Sequence, residues 1–161
     1  MSTAESTVIR AAQEPDLVSV NAIIDSCVME WDLPERVKRL SLSSYRYSSC
    51  DLAHFEIVLA EVLGGEIAGV AAWQPAAARD LPADKTGMLL HGLYVAPRYQ
   101  HRGIGSLLVN AALNAVQAHG MEGLLVKAQT GAIGFFQSRG FIKLPVQNPE
   151  KDYPHRWWRQ V

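Results

Sequence analysis

The stretch Gln100-His101-Arg102-Gly103-Ile104-Gly105 separates two apolar runs of different period. Before it, Leu89 to Val95 reads as a strand. After it, Ile104, Leu107, Leu108, Ala111, Ala112, Ala115 and Val116 share one broad helical face, with Asn110, Asn114 and Gln117 on the other. His119-Gly120 closes that helix, and Gly123 to Gln129 follows as a further strand. A strand, a helix and a second strand in this order require a crossover, and hence a locally parallel pair. The two glycines lack a Cβ, so the backbone can turn sharply and approach a ligand closely. The helix that starts there leaves its first amides without intrahelical acceptors and carries partial positive charge at that end. Such a turn suits an anion, phosphate above all.

The remaining elements surround this unit. Thr7 to Ala12 is a short opening strand. Pro15-Asp16 starts a helix through Leu17, Val20, Ile23, Ile24 and Cys27, and a second helix runs from near Pro34 to Tyr45. His54 to Leu63 and Glu66 to Trp73 are strands joined by the hairpin signal Gly64-Gly65, and Pro75 to Gly87 is a loop before the strand Met88 to Ala96. Ala132 to Arg139 is a short helix ended by Gly140, and Phe141 to Val146 and Tyr153 to Val161 are the last strands. The expected fold is α/β (α+β): a mixed, mostly antiparallel twisted sheet of about seven strands, helices on both faces and one parallel central pair.

Length and composition narrow the function. With 161 residues and 48% hydrophobic content, the chain is expected to form a single globular domain over 1–161. A formal net charge of −1 without any basic block argues against nucleic acid as a partner. The two cysteines, Cys27 and Cys50, have no metal-ligand spacing, so a reduced, cytoplasmic protein without a metal is expected. No run resembles a signal peptide or reaches membrane-spanning length.

Two phosphate motifs fail at the glycine turn. A dinucleotide fingerprint needs a third glycine where Leu108 stands, and a P-loop needs a lysine where Ser106 follows Gly105. A third pattern fits. Val95-Ala96-Pro97-Arg98-Tyr99-Gln100-His101-Arg102-Gly103-Ile104-Gly105-Ser106-Leu107-Leu108 resembles the acyl-CoA motif of the GNAT superfamily of N-acetyltransferases, Gln/Arg-x-x-Gly-x-Gly/Ala. The order of elements is similar across almost the whole chain, down to Ala132-Ile133-x-Phe135-Phe136 and Gly140-Phe141. The resemblance implies acetyl-CoA as co-substrate. Gln100, His101, Arg102, Gly103, Ile104, Gly105 and Ser106 would cradle its diphosphate, with Arg98 and Arg102 near enough in sequence to help. Pantetheine would lie along the strand edge at Leu93, Tyr94 and Val95, in a cleft where the parallel pair splays apart.

The implied reaction is direct attack of a primary amine on the thioester, within a ternary complex. An amine of pKa about 10.4 is neutral in only about one molecule in 2500 at pH 7, a cost of roughly 4–5 kcal/mol that a base helps to overcome. His91 is the candidate base. Its imidazole titrates in the useful range, and its position matches one where some family members place a catalytic histidine. Backbone amides near Leu93 or Tyr94 are the candidate oxyanion donors. Two departures stand out. Phe136 occupies the position of a tyrosine that serves many members as acid, and Gln129 stands where asparagine is common. Phe136 keeps open a different reading, an acyl-CoA-binding sensor with little or no catalysis. Tyr94 and Tyr99 are weaker candidates for the acid, since both suit ordinary packing.

The acceptor end is less defined. Trp31, set among Glu30, Asp32 and Glu35, could attract a cationic amine, and Trp73 could border the pocket, although a solvated connection and core packing are the plainer roles. A small molecule or a peptide amine both suit as acceptor. Trp157-Trp158 near the terminus suggest a final strand packed on the sheet or on a second subunit, so a homodimer is an open expectation.

Overall fold

Seven strands form one sheet in the order β1-β2-β3-β4-β5-β7-β6. In the computed structural model, which describes residues 2–161, these are β1 (Val8–Ala11), β2 (Glu56–Glu61), β3 (Ile67–Pro75), β4 (Gly87–Val95), β5 (Gly123–Lys127), β6 (Ile142–Lys143) and β7 (Arg156–Gln160). The helices are α1 (Leu17–Met29), α2 (Glu35–Tyr45), α3 (Ser49–His54), α4 (Ile104–Ala118) and α5 (Ile133–Ser138). β4 and β5 are parallel, as the strand-helix-strand order requires, with Gly87 opposite Gly123 through Leu90 opposite Val126. β1 with β2, β5 with β7, and β6 with β7 are antiparallel. The mixed, mostly antiparallel sheet read from the sequence is the one observed. Among the described residues, no helix is long and apolar enough to cross a membrane.

The chain divides into two compact units. One contains the residues up to Ala72 together with Gly92–Val109, the other Trp73–His91 and Asn110–Val161. In the first, α1 buries Val20, Ile23, Ile24, Cys27 and Val28, the three-and-four spacing of an amphipathic helix. They share a core with Ile57 and Leu59 of β2, Val70 and Ala72 of β3, and Tyr94. The β2–β3 hairpin turns at Gly64 and Gly65, both at positive φ (98° and 89°). α3 is an element that strand and helix periodicity does not reveal. Its signal is the capping box Ser48-x-x-Asp51, in which the Ser48 amide donates to the Asp51 carboxylate at 2.7 Å.

Arg10 ties the first strand to α1 and β2. Its Nη1 and Nη2 donate to the Asp16 carboxylate at 2.9 Å each, and its Nε donates to Glu61 at 2.5 Å. The Arg10 bond holds the Asp16 carboxyl below its ordinary range. A depressed carboxylate contributes stability above its unfolded pKa of about 3.9 and loses it as pH falls through the lower folded value. Arg10→Met is therefore expected to cost about 1 kcal/mol at neutral pH, and the gap from wild type should close below about pH 4. Urea unfolding at neutral and acid pH checks this, and a gap that does not change with pH would refute it.

In the second unit, Leu125, Leu144 and Trp158 form a core with Ala76, Leu81 and Leu89. Trp157 and Trp158 are each only 4% exposed within a single chain, so the aromatics that suggested a partner are accounted for by core packing. The last two strands are shorter than their sequence suggests. β6 ends at Lys143 because Pro145 removes a ladder donor, and the amides of Gln147 and Asn148 turn in to Asp152 (2.9 and 3.0 Å). The buried Arg156 closes this region by donating to Asp80 O at 2.9 Å and Pro145 O at 3.1 Å.

Candidate functional site

The glycine turn is braced from several sides within the first unit. Where β4 ends, the Ala96 amide donates to Ala68 O at 2.8 Å. Two side chains, the Cys27 thiol and Gln100 Nε2, donate to Val95 O at 3.1 Å each. Pro97–Tyr99 then makes a single 3-10 turn, closed by the Tyr99 amide on Ala96 O at 2.8 Å. The Tyr99 hydroxyl donates to the Glu66 carboxylate of the β2–β3 hairpin, and Arg98 pairs with the other oxygen of that carboxylate. The guanidinium carbons of Arg98 and Arg102 lie 5.2 and 5.8 Å from the Tyr99 ring centre. Arg98, considered from sequence as a source of phosphate charge, is thus paired with Glu66, and Tyr99 is a strut rather than an acid.

Beyond the brace, the backbone reverses. His101 and Gly103 both take positive φ, 62° and 86°. For the non-glycine His101 this costs about 1–2 kcal/mol, and strain of that kind gathers at ligand sites. The reversal brings Gly103 O under the Leu107 amide at 3.2 Å, the first bond of α4. The amides of Ile104 and Gly105 precede that bond, at the positive end of a 15-residue helix. Gly105 is helical and half-buried, so no backbone strain calls for a glycine there. Of the strand residues assigned to pantetheine, Leu93 and Val95 are half-buried, while Tyr94 is buried in the α1 core. Burial pushes the Tyr94 phenol well above its usual range and the Cys27 thiol up to about 11, which leaves Cys27 no role as a nucleophile.

Trp31 is half-buried and meets Tyr45 edge-on, ring centres 5.0 Å apart. Of the three carboxylates near it in sequence, Glu35 is paired with Arg39 at 2.7 Å; Glu30 and Asp32 are exposed.

The other candidates belong to the second unit. His91 is exposed on β4, one residue past the last parallel pair, Leu90 opposite Val126. Gln129 caps a 3-10 turn by accepting the Ala132 amide at 2.9 Å. Phe136 is 3% exposed and packs edge-on against Phe135 and Phe141, ring centres 5.2 Å apart in each case. Trp73, at 2% exposure, is core. A groove of about 560 Å³ is lined by Asn110, Leu113, Asn114 and Gln117 of α4 and by Arg159–Val161, and it contains none of the residues singled out from the sequence.

Three contributors are not apparent from the sequence: Cys27 on Val95 O, Glu66 on Tyr99 and Tyr47, whose hydroxyl closes on Gly92. All three reach β4 or its loop from distant segments, and spacing along the chain carries no signal for that. Gly92 within a strand does carry one, because a glycine there often marks a close approach.

The model of the acetyltransferase (GNAT) family matches residues 25–141, which include the end of α1, all of α2 to α5, the glycine turn and Gly140-Phe141. The chain belongs to the GNAT acetyltransferases. Solved structures agree on the fold of this GNAT protein at low identity. The PaiA N-acetyltransferase from Thermoplasma acidophilum, in complex with coenzyme A, aligns with TM-score 0.74 at 15% identity, covering 97% of this chain and 99% of that one. A GNAT acetyltransferase from Staphylococcus aureus Mu50 aligns with TM-score 0.70 at 14% identity, covering 96% and 98%. A GCN5-related N-acetyltransferase from Kribbella flavida aligns with TM-score 0.67 at 18% identity, covering 98% and 99%. No curated protein matches the sequence.

Proposed function

We propose that this GNAT protein moves an acetyl group from acetyl-CoA to a primary amine by direct attack in a ternary complex. The observation that carries this reading is the reversed backbone at His101 and Gly103, from which α4 starts behind a braced loop. Diphosphate fits there: amide donors, the helix dipole and the exposed Arg102 all favour an anion, and Gly103 and Gly105 put no side chain in its way. Acetyl-CoA supplies a thioester whose sulfur leaves as a thiolate. The strand edge at Leu93 to Val95 would hold pantetheine, and the nearby amides would donate to the oxygen that gains charge. His91 would take the proton lost by the amine.

Calorimetry with acetyl-CoA, ATP and NAD tests the coenzyme; tighter binding of either nucleotide overturns the assignment. Thiol release across a panel of peptide, polyamine and small-molecule amines tests the chemistry. With His91 as base, His91→Ala should lower turnover about 100-fold at pH 7 and much less at pH 9, where about 100 times more of the amine is already neutral. Equal losses at both pH values would make His91 a packing residue. The buried, donor-free Phe136 favours a second reading, an acyl-CoA sensor. Tight acetyl-CoA binding without amine-dependent thiol release would select it.

A further inference from the structure

Glu66 immediately precedes β3, far along the chain from the glycine turn. Its backbone carbonyl closes the β2–β3 hairpin by accepting the Val62 amide at 2.9 Å. The hairpin does not need its side chain, which turns to the loop instead. One carboxylate oxygen accepts the Tyr99 hydroxyl, and the other pairs with Arg98 Nη2. Among the described residues, no other side chain from outside the loop forms a hydrogen bond or ion pair with residues 97–103.

The shape of the loop explains why it needs such a hold. His101 takes φ 62°, a conformation that L side chains leave unless their surroundings fix them. The backbone bonds of the 3-10 turn, from the Tyr99 amide to Ala96 O and from the Gln100 amide to Pro97 O, lie within the segment itself. They shape the turn and tie it to no other element. The Tyr99 ring packs against the α1 core, as a phenylalanine would; the hydroxyl adds the bond to Glu66. That same ring lies under the Arg98 and Arg102 guanidiniums.

We infer that Glu66 is a positioning residue for coenzyme binding: through Tyr99 and Arg98 it holds the loop in the reversed form that receives the diphosphate, without touching the coenzyme. The inference rests on the coenzyme reading above. The sign of the effect distinguishes positioning from plain electrostatics. Glu66 is an anion bonded to the loop that receives an anion, so charge alone would make binding tighter once the carboxylate is removed. Positioning demands the opposite. A released loop reaches the binding form only part of the time, and apparent affinity falls by that fraction. An exposed ion pair contributes little by itself, so the hold depends on Tyr99 and Arg98 meeting on one carboxylate.

Calorimetric titration of the full chain with CoA and with acetyl-CoA provides the test, and thermal unfolding checks that each variant is folded. Glu66→Ala should bind both ligands about 10-fold more weakly than wild type. Its Tm should hardly change, because the side chain is exposed. Tyr99→Phe keeps the ring and loses the bond to Glu66, so it should lose as much affinity; it decides the matter if Glu66→Ala folds poorly. The double variant should fall within about 2-fold of either single one, since both changes break one link. His101→Gly supplies a sharper background, because glycine takes positive φ without strain and needs less holding. There, Glu66→Ala should change affinity by about 2-fold or less. Affinity that is unchanged or raised in Glu66→Ala overturns the positioning role and leaves coenzyme binding standing. An undiminished loss in the His101→Gly background also overturns it, since the carboxylate would then serve something other than the reversal. Failure of CoA and acetyl-CoA to bind wild type at all overturns both readings.

Discussion

Gly105→Val is expected to weaken acetyl-CoA binding at least 100-fold while leaving the protein folded. The two halves of that result have separate causes. Gly105 is an ordinary helical residue in the first turn of α4, so valine there meets no backbone strain. Intrinsic helix preference favours valine over glycine by a few tenths of a kcal/mol, and stability should change by no more than about 0.5 kcal/mol. Binding is another matter. A β-branched side chain would stand in the proposed path of the diphosphate to the start of α4. Loss of two hydrogen bonds to a charged group, at about 1.5–3 kcal/mol each, corresponds to 100-fold or more in affinity. Gly103→Ala is the contrasting case. Gly103 sits at φ 86°, and an added Cβ would meet the Ala4 Cβ at 3.3 Å. That substitution should cost about 1–2 kcal/mol of stability whether or not coenzyme is present. Calorimetric titration with acetyl-CoA, together with thermal unfolding of both variants, separates occupied space from strain. Gly105→Val with wild-type affinity would remove the cradle from the functional reading.

Much of the architecture was legible because local chemistry and global topology agree along most of this chain. Alternating and helical periods gave β1 to β5, α1, α2 and α4, and the strand-helix-strand order required the parallel pair. The misses share a cause. α3 is six residues long, too short for a period to emerge, and its capping box was the only local sign. β6 keeps two ladder residues because Pro145 and the turn into Asp152 end it, a tertiary outcome that the β-rich composition of Phe141 to Val146 conceals. For the candidate site, the loop was legible as a loop because glycine spacing is written in the sequence. Its supports were not. Glu66 on Tyr99 and Arg98, Cys27 on Val95 O, and Tyr47 on Gly92 each join residues 30 or more positions apart, and such pairings exist only once the sheet has formed.

Gly123→Ala is expected to destabilise the protein by about 3 kcal/mol, through the parallel pair rather than through any ligand. Gly123 of β5 lies opposite Gly87 of β4, and the indole of Trp158 in β7 covers both. A Cβ on Gly123 would stand 2.3 and 2.5 Å from Trp158 Cζ2 and Cη2, and 2.6 Å from Arg159 O. The indole has little freedom to swing aside, since Trp158 is 4% exposed and packs with Leu125 and Leu144. The carbonyl belongs to the β5–β7 ladder and cannot yield without breaking register. Small-to-large changes in tight cores cost about 1–3 kcal/mol and more where backbone is the obstacle, so the upper figure applies. In a chain of this length, that corresponds to a fall in Tm of roughly 10 °C. Trp158→Leu alone should cost about 3 kcal/mol or more by leaving a cavity. Combined, the two changes should cost at least about 1 kcal/mol less than their sum, because the smaller side chain vacates the space that the alanine methyl needs. Relief should be partial, since Arg159 O stays in place. Additivity within about 0.5 kcal/mol would show that the indole is not what forbids a side chain at position 123. The ladder also bears on the proposed role of His91 as base: it sets the register of β4 up to Leu90, and His91 is the next residue. A variant that folds with a slipped β4–β5 pairing should therefore bring His91 to the opposite face of the strand and lose amine-dependent thiol release.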